Sequence, residues 1–254
     1  VFRRTRASWG KGRTINAGLP DELPWWLIRW RSGPGRWVRP ARHGKLTGPE
    51  SRVDWRRTLR RWARLGHADG RMIWRRAPRR PTQVVVLWDV SGSMAAYLGW
   101  YFPWIYRLAS LSDAVHVFAF GTTIEDLTPH LASKYRQAVR NLYGQTSLWG
   151  SGTAIGQAFQ RWNERYGPRL LSRRTTVAII SDGWDVGNPE QLASALQFMA
   201  SRAERLVWIN PLMVTAGFEP RTRALMMARR YVDSMTAGAE PESLARLARE
   251  WDVI

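Results

Sequence analysis

Val84-Val85-Val86-Leu87-Trp88 runs straight into Asp89-Val90-Ser91-Gly92-Ser93. The first half is continuously apolar and rich in β-branched residues, the pattern of a strand buried on both faces of a parallel sheet. The second half supplies a carboxylate and two hydroxyls at alternate positions. A sharp turn at the strand end points Asp89, Ser91 and Ser93 at one spot. Three small oxygen donors around one point suit a hard divalent cation, Mg²⁺ above all, and offer no soft ligand for zinc or copper.

The same chemistry recurs downstream. Ser151-Gly152-Thr153-Ala154 offers another hydroxyl, and Val177-Ala178-Ile179-Ile180 is a second apolar run, ending in Ser181-Asp182-Gly183. Strand-end carboxylates far apart in sequence can meet at one edge of a doubly wound sheet. Asp-x-Ser-x-Ser alone is often only a capped helix start, and Ser-Asp-Gly alone is usually a turn. With Asp89, Ser91, Ser93, Thr153 and Asp182 all present and in order, the chain resembles the metal-ion-dependent adhesion site of von Willebrand factor A domains. The resemblance implies that Ser91 and Ser93 bind the ion directly, Thr153 directly or through water, and the aspartates in either way depending on state. The ion would be Mg²⁺, or Mn²⁺ or Ca²⁺, with one position left for a partner's carboxylate. Asp185, three residues beyond Asp182, is a candidate for the outer shell, and it joins Trp184 as a candidate partner contact.

From residue 82 the pattern alternates strand and helix, which predicts an α/β fold: a doubly wound, mostly parallel sheet with helices on both faces. Strands are expected at Val84–Trp88, Ala114–Phe120, Thr123–Leu127, Thr175–Ile180, Arg205–Ile209 and Tyr231–Asp233. Helices are expected at Ala95–Leu111 with a bend near Pro103, Leu131–Leu142, Ala154–Arg165, Pro189–Arg202, Glu219–Arg230 and Pro241–Trp251. Residues 82–254 thus form the main domain and 1–81 a basic extension rich in Trp and Arg. Within it, Leu23–Trp30 reads as a short helix that either patches the main domain or docks a partner. Ser51–Leu65 reads as an amphipathic helix capped by Ser51 and stopped by Gly66. Its apolar side is Trp55, Leu59, Trp62 and Leu65; Arg56, Arg57, Arg60, Arg61 and Arg64 face the other way. A solvated basic face is the ordinary explanation of those arginines, and Arg56, Arg57, Arg60 and Arg61 are also candidates for partner binding.

The net charge of +19 is unevenly spread. Residues 1–81 hold 22 Lys+Arg against 5 Asp+Glu, while residues 82–254 hold 17 against 15. The positive field belongs to the first third, together with 8 of the 16 tryptophans. An anionic partner follows: an acidic protein surface, a nucleic acid or an anionic membrane. There is no cysteine, so disulfides and thiolate metal sites are excluded, and a reducing, cytoplasmic setting is expected. No apolar stretch reaches the roughly 20 residues of a membrane span, and no signal peptide is visible.

Further stretches narrow the resemblance to one branch, the CoxE-like proteins. They are Asp54-Trp55-Arg56-Arg57-Thr58-Leu59-Arg60, Val117-Phe118-Ala119-Phe120-Gly121-Thr122, Ser151-Gly152-Thr153-Ala154-Ile155-Gly156, Ile180-Ser181-Asp182-Gly183-Trp184-Asp185 and Leu206-Val207-Trp208-Ile209-Asn210-Pro211-Leu212. That resemblance implies a non-enzymatic binding module that works with a MoxR-type AAA+ ATPase. The pair would act as a chaperone for maturation of a molybdenum hydroxylase or another metalloenzyme, with a client offering a carboxylate. Two alternatives stand beside it. A Mg²⁺-assisted hydrolase is conceivable, but no general base is identifiable. His43, His67, His116 and His130 lack ligand spacing, and no nucleotide phosphate loop is present. Nucleic-acid binding through the basic arm rests on charge alone.

Overall fold

The computed structural model describes residues 19–28, 51–53, 55–67, 71–76, 83–145, 152–215, 218–220, 222–238 and 240–251. Most of the basic arm, Asp54, Arg79-Arg80-Pro81 and Ser151 therefore lie outside the described residues. The chain divides into two compact units, Val1–Gly35 with Thr82–Ile254, and Arg36–Pro81.

The larger unit begins with a single turn, α1 (Trp25–Ile28), entered through Pro24, whose carbonyl accepts from Leu27 N at 2.9 Å. Leu27 is fully buried, and the Trp26 ring lies 6.4 Å from that of Trp100. This turn therefore patches the domain, as one of its two expected roles required, while Trp25 stays exposed.

The smaller unit holds β1 (Ser51–Val53), α2 (Trp55–Leu65) and β2 (Trp74–Arg76). Ser51 does not cap a helix. It starts a strand paired antiparallel with β2, Ser51 opposite Arg76 and Val53 opposite Trp74. Pairing with a distant segment overrides the local Ser-x-x-Asp signal, a common outcome for very short elements. Gly66 does end α2, in the left-handed region at φ 72°.

The sheet of the larger unit has six strands: β3 (Gln83–Asp89), β4 (Val115–Phe120), β5 (Ile124–Asp126), β6 (Thr175–Ile180), β7 (Arg205–Ile209) and β8 (Ser234–Thr236). Their order is β5-β4-β3-β6-β7-β8. All neighbours are parallel except β4 and the edge strand β5. The mostly parallel, doubly wound sheet is thus as the sequence predicts.

A 3-10 helix, Gly92–Tyr97, leads into α3 (Leu98–Leu111). The expected irregularity falls at Tyr97–Leu98 rather than at Pro103, which sits buried inside α3 at the cost of one backbone hydrogen bond. The predicted helix over Leu131–Leu142 is two, α4 (Thr128–Leu131) and α5 (Tyr135–Gln145). Between them the Ser133 carbonyl accepts from Tyr106 Oη at 2.9 Å. Next come α6 (Ile155–Arg165), the turn α7 (Gly167–Leu170), α8 (Pro189–Arg202), α9 (Arg223–Ala228) and α10 (Pro241–Glu250). The last strand lies beyond Tyr231–Asp233. Asp233 stays outside the ladder, and its Oδ2 accepts from Leu206 N at 2.7 Å.

Alternation along the strands fills both faces. Val85, Leu87, Phe118, Phe120, Val177, Ile179 and Trp208 pack with α6, α8 and α9. On the other face Trp88 stacks on Phe102 of α3, and Trp104 of α3 meets Trp251 after α10. Large side chains buried this fully contribute about 1.5–3 kcal/mol each, so the sheet is a rigid floor for what stands at its edge.

Candidate metal centre

The chain leaves β3 for β4 on one side and later returns to the other side as β6. The carboxyl ends of these three strands therefore form a topological switch point, where open α/β sheets bind their ligands. Asp89 ends β3. Trp88 pairs with Ile180, so Asp89 comes level with Ser181, and Asp182 follows. On the other side Asp89 pairs with Phe120. The carbonyl of the next residue, Gly121, accepts from Ala154 N at 3.1 Å, which brings Thr153 to the same edge. Asp89, Thr153 and Asp182 are all buried, as is Ser91; Ser93 is exposed.

Local bonds fix the donors. Ser91 N donates to Asp89 Oδ1 at 2.9 Å, closing a tight turn after the strand. The hydroxyls of Ser91 and Ser93 lie 3.1 Å apart, and neither caps the 3-10 helix. Ser181 Oγ donates to Asp89 Oδ2 at 2.6 Å and accepts from Gly183 N at 2.9 Å. Both oxygens of Asp89 are thereby oriented before anything else binds. Asn210, buried after β7, donates through Nδ2 to the Asp182 carbonyl at 3.2 Å, and Trp208 Nε1 donates to the Ser181 carbonyl at 2.9 Å.

Sequence reasoning missed Ser181 and Asn210. Ser181 could have been found only from the β3–β6 register, which places it beside Asp89. Nothing local marks Asn210.

Burial is the main reason the Asp89 carboxyl is pushed up from 3.8 to about 6. The hydroxyl of Ser181 and the N–H and hydroxyl of Ser91 act against that rise, and the charge of Asp182 adds to it. Among the described residues no lysine or arginine enters this balance. Besides hydroxyls the two carboxylates meet backbone N–H groups, Ser91 N on Asp89 and Trp184 N on Asp182 Oδ1 at 3.1 Å, and oxygen donors of this kind suit a hard divalent cation. Among the described residues no three His, Cys, Asp or Glu side chains gather anywhere.

Asp185, the candidate for the outer shell and for partner contact, is bonded to backbone of its own and a neighbouring loop. Its Oδ1 accepts from Ile155 N at 3.0 Å and from Gly187 N at 2.9 Å, while Val186 N donates to the Thr153 carbonyl at 3.0 Å. Asp185 therefore staples the Thr153 turn to the Asp182 loop. Asp185→Ala is expected to weaken Mg²⁺ binding by roughly tenfold or more, the usual cost of losing such support. Asp185→Asn keeps an acceptor oxygen and should bind nearly as the parent does. Calorimetric titration checks both, and equal affinity for all three proteins would show that the Val186–Thr153 bond suffices.

Trp184 projects from the same loop, 64% exposed, and Val186 is 85% exposed. Arg56, Arg57, Arg60 and Arg61 belong to α2 of the smaller unit. His116 lies in β4, half-buried, with its pKa lowered chiefly by burial, and His130 lies in α4. Among the described residues no histidine hydrogen-bonds to Ser91 or Ser93.

A six-stranded, mostly parallel sheet with hydroxyl and carboxylate donors at its carboxyl edge defines a von Willebrand factor A domain. The profile described as VWA domain containing CoxE-like protein matches residues 35–244, and the chain belongs to that family. Among solved structures it is similar to the von Willebrand factor type A protein from Catenulispora acidiphila at 19% identity and TM-score 0.46, over 68% of this chain and 42% of that one. It is similar to manganese-loaded TRAP protein from Plasmodium vivax at 14% and 0.45, over 67% and 73%. It is also similar to proximal thread matrix protein 1 from mussel byssus with a zinc-occupied MIDAS motif, at 14% and 0.40, over 67% and 47%. The chain spans less than half the length of the first and third of these. No curated protein matches the sequence.

Proposed function

We propose that this chain is a non-enzymatic, metal-dependent protein-binding module. It would hold Mg²⁺, or Mn²⁺ or Ca²⁺, through Asp89, Ser91, Ser93, Thr153 and Asp182, and capture a client protein by a carboxylate. Its working partner would be a MoxR-type AAA+ ATPase, and the pair would mature a molybdenum hydroxylase or another metalloenzyme in the cytoplasm. The observation that carries this reading is the buried Asp89 carboxylate. It is oriented at both oxygens and stands near Asp182 at the switch point, with no described cation in its electrostatic balance. Membership of the CoxE-like family supports the choice of partner.

A bound cation with few negative ligands is electrophilic and gains from an incoming acid group. The chain's own residues do the rest. Ser181 and Ser91 N–H aim Asp89, Asp185 holds the Thr153 turn in place, and exposed Trp184 offers an aromatic anchor beside the site. Affinity capture from the native lysate tests the reading. An ATPase and an acidic client should be recovered with Mg²⁺, lost with EDTA and regained on adding Mg²⁺. Recovery indifferent to the chelator contradicts it.

A further inference from the structure

Helix α2 carries two side-chain rows that metal-dependent capture leaves unused. At about 100° per residue, Trp55, Leu59 and Trp62 fall within one narrow arc, Arg56 and Arg60 lie beside it, and Arg64 falls on the opposite side of the helix. The helix holds five arginines and no acidic residue. The sequence pattern sets Trp55, Leu59, Trp62 and Leu65 on one apolar side; Trp62 is half-buried, and Trp55, Leu59 and Leu65 are 55%, 55% and 47% exposed. The smaller unit covers a different side of the helix: Thr58 is fully buried, and its Oγ1 accepts from Ile73 N at 3.0 Å. Trp55 and Leu59 are thus exposed beside Arg56 and Arg60.

We propose that α2 is a membrane-surface element, lying flat on an anionic bilayer with Trp55 and Leu59 in the headgroup–acyl boundary and Arg56 and Arg60 on lipid phosphates. Three features favour this occupant. First, when the apolar row faces the bilayer, Arg56 comes to the side of the helix, at the depth of the phosphates, and the long Arg60 side chain next to it can bend back to them. Second, Trp and Leu against a wholly basic polar face is the composition of interfacial helices, tryptophan settling at the headgroup level. Third, the charge of residues 1–81, 22 basic against 5 acidic, draws this part of the chain toward an anionic surface. Such a helix lies on the membrane and does not span it. Among the described residues no helix is long and apolar enough to cross one.

Flotation of the full chain with lipid vesicles, in EDTA, tests the proposal independently of any metal. The chain should float with vesicles of phosphatidylcholine and phosphatidylglycerol in equal parts and not with phosphatidylcholine alone. The variant W55S/L59S should bind the anionic vesicles at least about tenfold more weakly. R56Q/R60Q should lose binding to a similar degree. No flotation with anionic vesicles overturns the proposal, and so does flotation that W55S/L59S leaves unchanged, since charge alone then accounts for it. Capture of polyglutamate, lost in W55S/L59S, with no vesicle binding would assign the rows to an acidic protein instead. Should W55S/L59S lose its helical circular dichroism, W55A/L59A, built from a stronger helix former, takes its place: weakened binding with the helix intact supports the proposal and unchanged binding overturns it.

Discussion

Asp89→Asn is expected to abolish the thermal stabilisation by Mg²⁺ and, in chelator, to make the protein more stable at neutral pH. In the parent the folded state holds the Asp89 proton more tightly than the unfolded chain, about 6 against 3.8. A raised carboxyl pKa adds stability that is complete below about pH 4 and is lost as pH climbs through about 6. Above that, the buried charge costs about 3 kcal/mol. Asparagine carries no charge and can keep both bonds, accepting from Ser91 N and donating to Ser181 Oγ. In EDTA the parent should therefore lose stability between pH 4 and pH 7 while the variant stays nearly flat. Mg²⁺ at a hundredfold excess over its dissociation constant should add about 2.7 kcal/mol to the parent, roughly 5–10 °C, and nothing to the variant. Scanning calorimetry at several pH values reads all of this. A variant that still gains from Mg²⁺ would move the ion elsewhere.

Gly183→Ala should be the most damaging single methyl at the site. Gly183 sits at φ 77°, and an added Cβ would stand 2.5 Å from Leu225 Cγ and 2.7 Å from its Cδ2. Leu225 is buried in α9, with its N–H donating to Thr222 Oγ1, and has little room to retreat. The left-handed backbone and the overpacking together should cost roughly 2–4 kcal/mol, or about 5–15 °C in Tm. Any shift that relieves the clash also draws Gly183 N from Ser181 Oγ, and so loosens Asp89. Adding Leu225→Ala should restore part of the stability, because the two changes share one contact. A Tm within about 2 °C of the parent would show that the loop yields easily.

The central strands of the sheet were legible because they are largely apolar runs, and Thr175–Ile180 and Arg205–Ile209 fall where the pattern put them, whereas the short last strand, Ser234–Thr236, does not. Pro189 preceded by Asn188 located α8 as well, and Asn188 Oδ1 accepts from Glu190 N. The failures share a cause, since short elements take their state from distant neighbours. Ser51–Val53 is a strand only because Trp74–Arg76 lies beside it. The break between α4 and α5 has no glycine, and Pro129 sits at its upstream helix start. Asp89, Ser91 and Ser93 stood out together as candidates because Asp-x-Ser-x-Ser is local, while Thr153 and Asp182 were joined to them only by the family resemblance. Ser181 and the staple made by Asp185 could not be read in either way, because both depend on register and loop contact. The exposure of Trp55 and Leu59 was hidden for the same reason: helical spacing shows that a face is apolar and leaves open what covers it.

The most direct test of the central claim is an anomalous difference map from crystals grown with Mn²⁺. A single strong peak within about 2.3 Å of Ser91 Oγ and Ser93 Oγ, with Asp89, Thr153 and Asp182 around it, is the expected result. A map with no peak at that edge of the sheet, or with manganese bound only elsewhere on the chain, would contradict the account.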